Sequence, residues 1–163
     1  MKSPHVENLQ VQTAGSDDLE AILSLLRMQY AEHAIVVSPA LLAEAARGVL
    51  GHPGRGAILL ARGPEVLGMA ALAYLWSLEH GGRVAWLDEM FVLPAHRGRG
   101  IGRLLLRVAL VVAQKAGCRV AQLEVVQGHE RAEHLYRREG FASVARRRWN
   151  CSLAAALEGP HGE

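Results

Sequence analysis

Hydrophobic and polar positions alternate at two different periods along the chain. Asn8–Ala14 alternates weakly at period two and predicts an opening strand. Ser16-Asp17-Asp18 supplies N-cap chemistry for a helix in which Leu19, Ile22, Leu23, Leu26 and Tyr30 share one face. Ser38-Pro39 opens a second helix through Leu41, Leu42, Ala45 and Val49, closed by Gly51-His52-Pro53-Gly54. Two apolar runs, Ala57–Arg62 and Val66–Leu75, flank Gly63-Pro64 and read as a hairpin. After Gly81-Gly82 comes a strand over Val84–Leu93, ended by Pro94. Ile101, Leu104, Leu105, Val108 and Val112 then keep helical spacing up to Gly117. A strand over Val120–Val126, a helix over Glu130–Glu139 stopped by Gly140, and a last strand over Ser143–Leu153 complete the pattern. The order β-α-α-β-β-β-α-β-α-β predicts an α/β domain with a mixed sheet.

Composition narrows the picture. A chain of 163 residues that is 50% hydrophobic fits one domain with a real core, and excludes a disordered or low-complexity chain. Residues 1–157 are read as that domain and 158–163 as a polar, frayed tail. No apolar run approaches the ~20 residues of a membrane span, and MKSPHVENLQ lacks the apolar region of a secretory signal. Cys118 and Cys151 form no CxxC pair, so reduced packing cysteines in a cytoplasmic protein are expected. A net charge of +2 does not by itself point to nucleic acid. Arg146-Arg147-Arg148 lacks an aromatic stacking platform and reads as a solvated edge strand.

The chemistry concentrates in Trp86–Gly102, W-L-D-E-M-F-V-L-P-A-H-R-G-R-G-I-G. A strand runs into Arg97-Gly98-Arg99-Gly100-Ile101-Gly102, where a long helix begins. Glycines bring backbone N–H groups close to a ligand, and a helix N-terminus adds unpaired donors and partial positive charge. Arg97, Arg99, Arg103 and Arg107 add cations with no acid between them, so an anion such as pyrophosphate is the expected guest. A Walker loop is excluded because neither lysine lies in Gly-Lys-Ser/Thr, and GxGxxG fails because Arg103 stands at its third glycine. His129-Glu130-Arg131-Ala132-Glu133-His134 mimics HExxH, but its histidines are five apart and do not share a helix face, so no metal is expected.

The loop resembles the coenzyme-A-binding motif of the GNAT superfamily of N-acetyltransferases, Gln/Arg-x-x-Gly-x-Gly/Ala, with Arg97, Gly100 and Gly102 at its fixed positions. Downstream, Arg131–Phe141 is similar to the family's closing helix, which ends in Tyr…Gly-Phe, here Tyr136 and Gly140-Phe141. The resemblance covers residues 84–150 and implies a single-domain GNAT-like fold. Its mixed sheet would have six to seven strands flanked by about four helices, splayed between 84–93 and 120–126. Acetyl-CoA is the implied donor, and an amine attacks it directly in a ternary complex. Backbone N–H groups from Gly98 to Arg103, Ile101 included, would hold the pyrophosphate. Phe91 and Val92 would offer backbone to the pantetheine, and His129 stands where the family often has an Asn. Tyr136 is the implied partner of the leaving thiolate, its phenol pKa of ~10 lying near a thiol's ~8.5.

Asp88 and Glu89 are the candidate bases, two carboxylates inside an apolar strand where charge is costly without a task or a partner. Adjacent strand residues face opposite ways unless a bulge intervenes, and the resemblance to the family's diamine and aminoglycoside acetyltransferases, which carry an acid at this position, favours Asp88. Asp17, Asp18, Glu20 and Glu32 lie on or near the first helix, which in the resembled family borders the acceptor cleft. With Asp88 or Glu89 they imply a small cationic amine as acceptor. A protein lysine or N-terminal acetyltransferase and a non-catalytic acyl-CoA-binding module are the alternatives. A homodimer is compatible with the family, and neither nucleic acid nor membrane is expected as a partner.

Overall fold

Five strands, β1 (Gln10–Thr13), β2 (Gly56–Arg62), β3 (Val66–Ser77), β4 (Gly82–Val92) and β5 (Val120–Leu123), form one sheet in the order β1-β2-β3-β4-β5 in the computed structural model, which describes residues 8–153. Pairing is antiparallel from β1 to β4 and parallel between β4 and β5. A parallel neighbour requires a crossover, here helix α3 (Ile101–Lys115). Helices α1 (Leu19–Glu32) and α2 (Pro39–Leu50) join β1 to β2. Helix α4 (Glu130–Arg138) follows β5. Contacts divide the chain into two compact units, Met1–His129 and Glu130–Glu163, so α4 belongs to the second. The expected tail at 158–163 lies outside the described residues. Among those residues no helix is long and apolar enough to cross a membrane.

The central strands are sandwiched. Ile58, Leu60, Met69 and Phe91 pack with Ile22, Leu23, Leu25 and Leu26 of α1 and with Leu42 and Ala46 of α2. Alternation turns Leu59 and Ala61 to the opposite face, where α3 buries Ile101, Leu105, Leu106, Ala109 and Ala113. Burial on both faces accounts for the near-continuous apolar runs of β2 and β3. Gly68 is a point of close approach: it pairs with Val92, and a Cβ built there would lie 2.5 Å from the Phe91 carbonyl oxygen. Gly68→Ala is therefore expected to push β4 outward and cost about 1–3 kcal/mol, as overpacking does. Chemical denaturation measures this directly, and an unchanged midpoint would show that the strands part freely.

Two expectations are corrected. Among the described residues the sheet has five strands instead of six to seven, because residues 143–152 form no strand and are exposed throughout. A strand exists only with a hydrogen-bonded partner, and Arg146-Arg147-Arg148 puts charge on both faces of this segment, leaving no apolar face to dock. The arginines therefore do not lie on an edge strand. The strand expected over 120–126 also ends early, at Leu123.

Candidate active site

A β-bulge organises the site. Leu87 pairs with Leu72 and Glu89 pairs with Ala71, so Asp88 is the extra residue of β4. Beyond the bulge, Glu89 and Phe91 share the face that looks onto α1, while Asp88 is exposed. Of the two adjacent acids, the half-buried one is Glu89.

Helix α1 meets that carboxylate with two donors. The Tyr30 hydroxyl donates to Glu89 Oε1 at 2.7 Å, and the Gln29 amide Nε2 donates to Oε2 at 2.5 Å. Gln29 is only 7% exposed, and its Oε1 is buried without a hydrogen-bond partner. Burial pushes the Glu89 carboxyl above the usual carboxylate range, with repulsion from Asp88 adding to it. The Tyr30 and Gln29 hydrogen bonds and the charge of His33 pull the other way without cancelling it. Burial and the neighbouring Glu89 also raise the Tyr30 phenol, so it stays a donor. Ile22, Leu25, Leu26 and Gln29 share a helical stripe, and Gln29 is its polar member. That intrusion is the sequence signal for Gln29, which the motif-based expectations pass over. Tyr30 falls on the expected face, but spacing alone gives its hydroxyl no task.

Pairing between β4 and β5 runs from Val84↔Val120 to Leu87↔Leu123 and stops there. Residues 88–92 of β4 continue past the end of that ladder, alongside the bulge. Phe91 is 4% exposed, its ring sunk in the core, so backbone is what it offers at this edge. The Val92 carbonyl accepts from Arg97 Nε at 2.9 Å.

The glycine-rich loop follows a 3₁₀ turn over Pro94–His96. Gly98 (φ 80°) and Gly100 (φ 82°) are left-handed, the region other residues enter at a cost. Gly100 caps α3, and a Cβ built on it would meet nothing within 4 Å, so there is open space above the helix start. Helix geometry gives the first backbone N–H groups, those of Ile101 and Gly102, no acceptor within the helix. Arg99, Arg103 and Arg107 are exposed around this cradle. The Arg97 guanidinium chelates both carboxylate oxygens of Glu32 at 2.8 Å and lies 5.3 Å from the Phe91 ring centre. It ties the end of α1 to the end of β4.

The acids near α1 divide similarly. Glu32 is held by Arg97, and Asp18 accepts from Gly15 N at 3.0 Å and pairs with Arg62 at 2.5 Å. The Gly15 hydrogen bond and then Arg62 hold the Asp18 carboxyl below its ordinary value against some desolvation. Asp17 and Glu20 are exposed. The first unit thus brings together Asp88, Glu89, Phe91, Val92 and the loop from Arg97 to Arg103. His129 is exposed at that unit's end, its N–H bonded to Val126 O at 3.1 Å. Tyr136 lies in the second unit on α4, edge-on to Phe141 with ring centres 5.7 Å apart. Burial pushes its phenol up to about 12.

Comparisons with known proteins agree on the family. The sequence profile of the Acetyltransferase (GNAT) family matches residues 19–141. Streptothricin acetyltransferase of Streptomyces lavendulae is 36% identical over 94 residues, 57% of this chain and 43% of that protein. Thialysine N-epsilon-acetyltransferase of Bos taurus is 31% identical over 91 residues, 55% of this chain and 53% of that protein. The chain thus spans about half the length of these curated relatives. The solved structure of AAC(6')-Iy in complex with the bisubstrate analog CoA-S-monomethyl-acetylneamine superposes with a TM-score of 0.78. It is 17% identical, over 90% of this chain and 99% of that one, and shows the fold alone. With the profile spanning both the glycine-rich loop and α4, the chain belongs to the Acetyltransferase (GNAT) family.

Proposed function

We propose that this protein is an N-acetyltransferase that moves an acetyl group from acetyl-CoA to the primary amine of a small cationic molecule, by direct attack in a ternary complex. One observation carries the reading: a half-buried carboxylate, Glu89, lies where β4 runs on past its ladder with β5 and into a glycine-rich helix start. That pairs a base with an anion cradle on a single stretch of chain. The named relatives support the acceptor class, since thialysine N-epsilon-acetyltransferase and streptothricin acetyltransferase are named for amine-bearing small molecules. The CoA-containing analog bound to AAC(6')-Iy supports the donor.

The residues present fit the cofactor. Left-handed glycines, open space at Gly100 and the backbone donors at the start of α3 suit a pyrophosphate, with Arg99 and Arg103 adding charge. Acetyl-CoA supplies an activated thioester. The Glu89 carboxylate takes a proton from the acceptor ammonium, directly or through water, which frees the nitrogen lone pair to attack the acetyl carbonyl. A C–N bond forms as the C–S bond breaks; the departing thiolate takes a proton, and the second proton shed by the nitrogen replaces it through water. Tyr136, whose raised phenol stays protonated at neutral pH, is the donor that the family resemblance assigns. Asp88, exposed beside Glu89, draws the cationic acceptor towards the site.

The test is transfer from acetyl-CoA to a panel of lysine analogues, amino sugars, polyamines and lysine-containing peptides, followed by release of the CoA thiol. Turnover on one of the free amines is the expected result. Turnover on peptides alone would mean a protein acetyltransferase. Cofactor binding without turnover on any amine would mean an acyl-CoA-binding module.

A further inference from the structure

Resting on the reading of Glu89 as base, we propose that Gln29 and Tyr30 are positioning residues that set where the Glu89 proton sits and how strongly it is held. Both carboxylate oxygens are occupied from one helical turn, Oε1 by the Tyr30 hydroxyl and Oε2 by the Gln29 amide. Two donors on separate oxygens fix the plane of the carboxylate and leave one lone pair on each oxygen to take a proton. The helix itself is fixed: Glu32, the last residue of α1 and in the same turn as Tyr30, is chelated by Arg97 at the end of β4.

The Gln29 amide adds a second property. Its Oε1 is buried with no partner, and its Nε2 is committed to a carboxylate. When Glu89 takes up a proton, a half-turn of the amide presents the carbonyl oxygen to the new O–H. One side chain thus serves the ionised acid as donor and the neutral acid as acceptor. A hydrophobic residue, which the α1 stripe would otherwise favour, serves neither.

Among the described residues of the first unit, the charged and titratable groups facing Glu89 are few. Asp88 faces it from its own strand and raises its proton affinity, while Tyr30 and His33 face it from the α1 side and lower it. β3 sets Ala71 against it in register, and the inward residues of α3 are apolar. With this small set, loss of either α1 hydrogen bond should appear in the titration of Glu89 itself.

Carbon-13 NMR of the Glu89 side-chain carboxyl, followed against pH in the full chain without acceptor, is the experiment. The wild-type carboxyl is expected to titrate above ordinary glutamates. Tyr30→Phe and Gln29→Leu are each expected to move it further up by about one pH unit, because each removes a hydrogen bond to the charged form. Gln29→Glu, which keeps the shape and adds a like charge, is expected to move it further than Gln29→Leu. An unmoved titration in folded Tyr30→Phe and Gln29→Leu, with melting temperatures near wild type, overturns the inference. That failure is separate from failure of the base assignment, which is read from turnover of Glu89→Gln.

Discussion

Glu89→Gln is expected to lower kcat/KM for the amine acceptor by about 10²–10⁴-fold, the usual contribution of a positioned general base. The amide keeps the size of the side chain and can still accept from Tyr30, so the loss is one of proton transfer. Stabilisation by acetyl-CoA should persist, because the glycine-rich loop is untouched. The wild-type profile of kcat/KM should fall on the acid side as Glu89 becomes protonated, at a pH above the ordinary glutamate range, since burial raises its carboxyl. In Glu89→Gln that limb should vanish from whatever activity remains. If Asp88→Asn produces the loss and Glu89→Gln does not, the exposed acid is the base and the proton leaves through solvent.

The same substitution should act on stability with the opposite sign. A carboxyl whose folded-state pKa is raised favours the protonated acid in the fold. Its contribution is therefore full below the unfolded value and is lost as pH rises through the folded one. Gln at position 89 carries no charge at any pH and escapes that loss. Wild type and variant should melt alike in acid, and the variant should melt higher at neutral pH. An inactive protein that is more stable than its parent is the expected mark of a buried functional charge.

The elements of the first unit were legible because each carries its own period. The α1 stripe, the capping at Ser38-Pro39 and the apolar runs of β2 and β3 are local signals, and the helices and strands stand where they predict. What was not legible depends on partners. Ser143–Leu153 has the composition of a short strand, yet strandedness is settled by an edge to pair with. The bulge at Asp88 leaves no trace in W-L-D-E-M-F, which reads as an unbroken strand, and the bulge sets which acid is buried. The ion pair of Arg97 is equally illegible, because its partner, Glu32, stands 65 residues earlier. Sequence spacing places a guanidinium in a loop, but only the fold says which carboxylate it finds.

Gly100→Glu is expected to abolish stabilisation by acetyl-CoA. In wild type, cofactor at ~100 times its Kd should add about 2.7 kcal/mol, a melting shift of roughly 5–10 °C for a domain of this size. The variant strikes the cradle in two ways. A non-glycine residue at φ 82° pays a left-handed penalty of about 1–2 kcal/mol. The new carboxylate also enters the open space above the first N–H groups of α3, where a pyrophosphate would meet like charge in place of donors. Gly100→Ala separates the two effects: it carries the backbone penalty without the charge, and should keep part of the shift. A wild-type shift that is retained in Gly100→Glu would place the cofactor away from this loop. No shift in wild type would leave the arginines and left-handed glycines needing another anion, with nucleotides the first to try.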